Sequence, residues 1–265
     1  VAAGALVRVG RGRYTLPEVA EAPARAHALG GTLSLTSAAL HHGWEVLHAP
    51  EQPHVLVPRK RRVAPARRAG VVLHRGDLEP ADRDGIATSK LLTVTQCLRR
   101  LPDDEALAVA DSALRAGESA LLEVAVDRVQ GPGSARVRAI AAAARSSAAN
   151  PFESALRAIA LTVVGLSVEP QVVISSPHVW ARPDLVDERL LMVLEAESFE
   201  WHGNRAGFRK DVRRYTLLVA EGWTVLRFTW EDVVLRPEWV RRVLARAVRH
   251  ANTRTQLAAG PGAAA

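Results

Sequence analysis

Cysteine, methionine and lysine are all scarce in this chain, and each shortage narrows what it can be. Cys97 is the only cysteine in 265 residues, so an internal disulfide and a cysteine-based zinc cluster are both excluded. A lone thiol fits a reducing cytoplasm, the expected location. No apolar run approaches the ~20 residues of a membrane span, and no signal peptide is visible, so no membrane partner is expected. The single Met and abundant Ala and Val are the bias of a high-GC genome. The chain opens on Val1 inside what reads as a structured element. Either Val1 is an alternative start or residues precede it.

Lysine is scarce because arginine carries nearly all the positive charge, within a net charge of +7. The planar guanidinium suits bidentate phosphate contacts, so nucleic acid is the first partner to consider. Genome bias alone would also yield an arginine-rich surface, so net charge tips the balance only slightly. With 48% apolar residues the chain can build a real core, and its length allows two modest domains.

Residues 5–16 read as a small basic hairpin around Gly10-Arg11-Gly12. Such a hairpin is how winged-helix domains touch phosphates. The recognition helix that should precede it is absent, and an ordinary hairpin fits equally well. Residues 36–42 read as a short helix, and 51–57 and 70–74 as strands. Between those strands lies the densest basic run, Arg59-Lys60-Arg61-Arg62 through Arg67-Arg68, bracketed by Pro58 and Pro65. A phosphate-binding loop and a plain solvated loop both fit it. Residues 91–101 and 104–116 have helical periodicity, with Gln96, Cys97 and Asp111 read as packing and capping residues. Breakers at 130–134 and small polar residues at 146–151 mark a boundary. The expected division is an N-terminal region 1–130, a linker 131–150 with a short helix, a domain 151–251 and a disordered tail 252–265.

The C-terminal half reads as a helix from Pro151 and a strand over 168–174. A hairpin of 179–186 with 189–197 follows, then a helix over 205–221, a buried strand over 223–229 and a final helix over 237–251. The order helix, three strands, helix, strand, helix predicts an α/β (α+β) sandwich on a mixed sheet, beside a smaller α+β N-terminal domain. Helical spacing puts Phe208, Val212, Tyr215 and Val219 on the buried stripe of the helix over 205–221. Strand alternation puts Glu195 and Glu197 on one face with Leu191 and Val193. Asp184 lies four residues before the turn at Glu188 and Glu195 seven after it, so both reach the same end of the sheet. Carboxylates gathered there repel and need a cation or protons. A hard divalent ion and salt bridges to Arg182, Arg209 or Arg213 are both open.

Arg182-x-Asp184, Glu195-x-Glu197, Trp201-His202, then Phe208-x-x-Asp211-x-x-Arg214 and Arg227-Phe228-Thr229-Trp230 follow in order. With Glu153, these resemble the Vsr-like (very-short-patch-repair-like) nucleases catalogued as domain of unknown function 559. That family belongs to the PD-(D/E)xK, restriction-endonuclease-like fold. The match covers roughly 150–250. More weakly, the first half resembles an AbiEi-type antitoxin region of toxin–antitoxin systems, through Leu6-Val7-Arg8, Gly12-Arg13-Tyr14, His74-Arg75, Thr88 and Ala110 to Arg115.

The resemblance implies a metal-dependent endonuclease acting in repair, phage defence or a toxin–antitoxin setting. Asp184 and Glu195 would hold Mg2+ or Mn2+, with Glu197 as a further carboxylate of the site. Glu153 would orient a ligand or water, and His202 would act as general acid or base unless it is a structural histidine. Arg182, Arg209, Lys210, Arg213 and Arg214 would hold the nucleic-acid backbone, with Arg59, Lys60, Arg61 and Arg62 from the first half. Arg214 can instead pair with Asp211. The chain departs from the family where Glu197 replaces the motif lysine and Glu197-Ser198 replaces Asp-Gly. Lys210 is the candidate substitute cation. Three functions therefore stand: an endonuclease with DNA ahead of RNA as substrate, a non-catalytic nucleic-acid-binding regulator of antitoxin type, and a partner for a neighbouring toxin.

Overall fold

A computed structural model describes residues 7–10, 13–15, 17–197 and 205–259, with side chains over 21–197, 209–254 and 256. The chain divides into two compact units, residues 1–144 and 145–265. Both mix helices with sheets. The N-terminal unit is the longer one, contrary to the smaller domain expected.

In the first unit, β1 (Val7–Gly10) and β2 (Arg13–Thr15) pair antiparallel, followed by helix α1 (Pro17–Leu29). A five-stranded mixed sheet runs in the order β5 (Val72–Arg75), β4 (His54–Val57), β3 (Thr32–Leu33), β7 (Ala87–Thr88), β6 (Arg83–Asp84). Leu33, Val55, Val57 and Ala87 of this sheet pack with Ala26 and Leu29 of α1 and Ala38 of α2 (Leu35–His41). The basic run leads into one turn of helix, α3 (Pro65–Arg68).

Four helices complete the unit: α4 (Lys90–Arg100), α5 (Asp103–Arg115), α6 (Ser119–Arg128) and α7 (Ser134–Ala143). They pack on one another, so α7, expected inside a linker, belongs to this bundle and the boundary falls at 144. Gln96, Cys97 and Asp111 are buried, and burial pushes the Cys97 thiol far above its ordinary range. Such a thiol is inert.

The second unit starts with α8 (Pro151–Leu161), whose N-terminus is capped by the Asn150 side chain accepting from Glu153 N–H at 2.9 Å. Its main sheet runs β13 (Thr224–Thr229), β12 (Met192–Glu197), β11 (Leu185–Asp187), β8 (Glu169–Pro170). β12 pairs antiparallel with β11 and parallel with β13. The strand expected over 168–174 is broken, because Gln171 sits at φ 60°, a left-handed backbone that ends β8. β9 (Ile174–Ser175) pairs instead with β10 (Trp180–Ala181). Pro183 divides the long first arm of the expected hairpin, having no N–H for a ladder. Only Leu185–Asp187 remains to pair with β12, and the register Leu185↔Leu194 sets Asp184 across from Glu195.

Val186, Val193 and Val225 of the sheet pack with Tyr215 and Leu218 of α9 (Arg205–Ala220). The other face packs α8, which meets β12 and α10 (Pro237–Ala259). Phe228 points there, edge-on to Trp239 of α10 at 6.0 Å. The stripe expected on α9 is rotated. Leu218 is fully buried, Val212 and Val219 are exposed, and Phe208 lies outside the described side chains. β13 is an edge strand in which Phe228 alone is buried, not the buried strand expected. Helix α10 continues to Ala259, well into the tail expected to be disordered, and 260–265 lie outside the described residues.

Candidate functional site

The ends of β11 and β12 gather carboxylates because antiparallel partners share a face. Asp184 Oδ2 accepts from the N–H of Ala196 at 2.8 Å, which fixes its side chain across the ladder beside Glu195. Glu195 is 5% exposed. Its Oε1 accepts no hydrogen bond among the described residues and lies 3.4 Å from Arg214 Nη2. Burial, then the neighbouring Asp184, pushes the Glu195 carboxyl up to about 8. Asp184 is raised by its own burial, although the Ala196 N–H, the Glu195 side chain and Arg214 work against this.

A third carboxylate arrives from α8. Glu153 is fully buried and its Oε2 accepts from Ala149 N–H and from Gln171 Nε2, both at 3.0 Å. Oε1 has no hydrogen-bond partner among the described residues. Burial lifts this carboxyl to about 7, with Asp184 adding to the shift and Arg157, buried one turn along α8, opposing it. Gln171 joins the two acidic groups: its N–H donates to Asp184 O at 2.9 Å and its Nε2 also reaches Asp184 Oδ1 at 3.4 Å. A non-glycine residue held at positive φ costs energy that surrounding structure must offset, and such residues gather at functional sites.

Glu197 is placed differently from the other two. Arg227 Nε donates to its Oε1 at 2.7 Å and Tyr215 Oη donates to the same atom at 3.0 Å. Burial raises this carboxyl, but those two donors outweigh it and hold it below its ordinary range. The structure therefore sets Asp184 beside Glu195, links Glu153 to Asp184 through Gln171, and commits Glu197 to Arg227 and Tyr215. Among the described residues no group of three His, Cys, Asp or Glu is placed to hold a metal. The donors that fit a hard cation are the Asp184–Glu195 pair, two like-charged oxygen ligands with one oxygen unbonded. Magnesium usually takes one or two protein carboxylates and completes its shell with water and phosphate.

Arg214 is the cation that lies against Glu195. It lies 3.4 Å from Glu195 and 3.4 Å from Asp211, donates to Tyr215 Oη at 2.7 Å, and leaves Nε without a hydrogen bond among the described residues. Lys210, one turn earlier on α9, is exposed, as are Arg182, Arg209 and Arg213. The ion pairs expected from Arg182, Arg209 or Arg213 are made by Arg214 and Arg227 instead. His202 and Trp201 lie outside the described residues. Arg59, Lys60, Arg61 and Arg62 are exposed in the first unit.

Gln171, Tyr215 and Arg227 escaped the sequence reading as site residues. Gln171 had no signal there, since its role depends on a backbone torsion. Tyr215 was assigned to the core stripe, and its hydroxyl was the overlooked feature. Arg227 is the residue paired with Glu195 in the parallel β12–β13 register, which strand order alone does not reveal.

No family model matches the chain, and no solved structure matches it. Two uncharacterized proteins, from two strains of Mycobacterium tuberculosis, are each 31% identical over 171 residues, covering 62% of this chain. The chain spans 61% of the length of these curated relatives.

Proposed function

We propose that the second unit is a restriction-endonuclease-like domain that cleaves phosphodiester bonds with Mg2+ or Mn2+, DNA being favoured over RNA as substrate. The observation that carries this reading is the pairing of the half-buried Asp184 with the buried Glu195 at adjacent strand ends, with Glu195 Oε1 unbonded among the described residues. Burying two carboxylates side by side is costly unless a cation or a proton compensates. Asp184 and Glu195 would hold the ion. When bound it would supply Lewis-acid polarisation of the scissile phosphate and a lower pKa for the attacking water.

The remaining chemistry belongs to the chain. Glu153, lifted to about 7, can take up a proton at Oε1 near neutral pH. Arg214 lies against Glu195, where its charge can offset the carboxylates that would hold the ion. Arg209, Lys210 and Arg213 on the exposed side of α9, with Arg182, can grip the backbone. His202 remains a candidate acid or base.

Plasmid, single-stranded DNA and RNA incubated with Mg2+, Mn2+ or EDTA test this directly. Metal-dependent cutting that disappears in both Asp184→Ala and Glu195→Ala is the expected result. Cutting that survives either substitution sinks the reading. One observation favours a second reading, that of a non-catalytic nucleic-acid-binding regulator: Glu197 stands where the lysine should and ties up Arg227. Absence of cutting with salt-sensitive binding by all three proteins is what that reading expects.

A further inference from the structure

The run from Pro58 to Arg68 fits both a phosphate-binding loop and a plain solvated one, and its hydrogen bonds show that it is held in a fixed shape. Arg61 N–H closes a turn onto Pro58 O at 3.0 Å, and Arg59 N–H donates to Asp77 Oδ1 at 3.0 Å. Arg75 on β5 reaches under the loop and donates to the carbonyls of Arg59 and Arg61 at 3.3 and 2.7 Å. Arg68 Nε holds Val63 O at 3.0 Å, and Val63 itself is buried in the core of the first unit. Loop carbonyls are thus turned inward onto arginines. The side chains of Arg59, Lys60, Arg62 and Arg67 are exposed and make no hydrogen bond or ion pair among the described residues.

The loop frames an open groove of about 540 Å3 lined by Arg59, Lys60, Arg61, Arg62, Arg68 and Arg75, with no carboxylate in its wall among the described residues. A surface shaped only for solubility intersperses charges of both signs. Here the one nearby carboxylate bonded to the loop, Asp77, is spent on a backbone N–H. Four cations follow one another along the backbone, Arg59 to Arg62, and with Arg68 and Arg75 they line one open groove, more positive charge than a single phosphate needs. The wall holds no large exposed apolar side chain of the kind that anchors a protein in a lipid interface. It also holds no aromatic ring for stacking unpaired bases and no Asn or Gln for reading base edges.

We propose that this groove of the first unit docks the phosphate backbone of a nucleic-acid duplex without regard to sequence. It does not depend on the second unit being a nuclease. Arg59, Lys60 and Arg62 meet the phosphates, while Arg75 and Arg68 hold the loop in shape.

The test uses the full chain, two unrelated 20-base-pair DNA duplexes and a salt series from about 50 to 200 mM. Wild-type protein should bind both duplexes alike, with affinity falling steeply as salt rises. The paired substitution Lys60→Ala with Arg62→Ala removes two exposed charges and no packing. It should weaken binding at least tenfold at low salt and flatten the logarithmic salt slope by roughly two units, about 0.9 per phosphate lost. A melting curve matching wild type confirms the fold. Arg209→Ala with Lys210→Ala, on the second unit, serves as the contrast. If that pair abolishes binding while the loop pair leaves affinity and slope unchanged, the groove is not the docking site, and the nuclease reading survives. Single-stranded DNA or anionic phosphatidylserine vesicles competing as well as duplex would also overturn the proposal.

Discussion

Glu195 and Arg214 show how much of this site rests on single side chains. A carboxyl that titrates near 8 when folded and near 4.5 when free binds more protons in the folded state between those values. Its contribution to stability is therefore fully present below about pH 4.5 and is lost as pH rises through 8. Glu195→Gln removes that loss. In EDTA the variant should melt about 5 °C or more above wild type at pH 8, and the difference should vanish by pH 5. Mn2+ should raise the wild-type melting temperature at pH 8 and leave the variant unmoved. A variant less stable than wild type at pH 8 would mean that Arg214 alone already neutralises the carboxylate. The sequence exposed Glu195 and Glu197 as candidates because acidic residues continuing an apolar strand face are anomalous, and Asp184 through its place in the hairpin, whereas Glu153 entered only through the family resemblance. It could not show that Glu197 turns to Arg227 and Tyr215, since both Glu195 and Glu197 alternate onto the same strand face.

At the level of elements, helix α9 illustrates the limit of periodicity. The apolar residues Val212, Leu217, Leu218 and Val219 allow more than one stripe, and 208, 212, 215, 219 is a regular one. The sheet chose another, with Leu218 fully buried and Val219 58% exposed. Leu218→Ala should cost about 2–5 kcal/mol, the range for emptying a packed leucine site, whereas Val219→Ala should stay within about 1 kcal/mol. Urea denaturation of the two variants checks this, and comparable losses in both would contradict the observed face. The choice of stripe has a functional consequence, because it turns Arg214 and Tyr215 toward the carboxylates and leaves Arg209, Lys210 and Arg213 exposed.

Across the whole molecule the buried histidines of the first unit and the raised carboxyls of the second contribute opposite pH responses. In the first unit, burial lowers His54 to about 4, with the cationic form of His74 adding to the effect, and burial also lowers His42 and His74. His54 Nδ1 lies 2.8 Å from His74 Nε2, a contact in which at most one ring can hold a proton at the shared position. For these groups the unfolded chain binds more protons, so their stability is present above about 6.5 and is lost as pH falls toward 4. In the second unit, Glu153 and Glu195 are raised, and stability is lost as pH rises. Hydrogen exchange resolved along the chain should show the sheet amides of the first unit protected less at pH 5 than at pH 7 after correction for intrinsic rates. Those of β11 and β12 should change the other way. Parallel changes in both units would contradict the assignment.

The sequence by itself determined the two-part organisation, the mixed helix-and-strand character of both parts, most element positions in the second, and the identity of the acidic residues. Those features are local: apolar period, breakers, and polar groups out of place in an apolar run. Tertiary structure alone decided that Gln171 would take a left-handed backbone and bridge Glu153 to Asp184, and that Pro183 would shorten β11 to three residues. It also decided that Arg214, and not Lys210, would lie against Glu195, and that Arg75 would pin a loop sixteen residues before it. Each depends on which strand pairs with which and on the rotation of a helix about its axis. These are set by burial summed over many residues, and no short stretch of sequence encodes that sum.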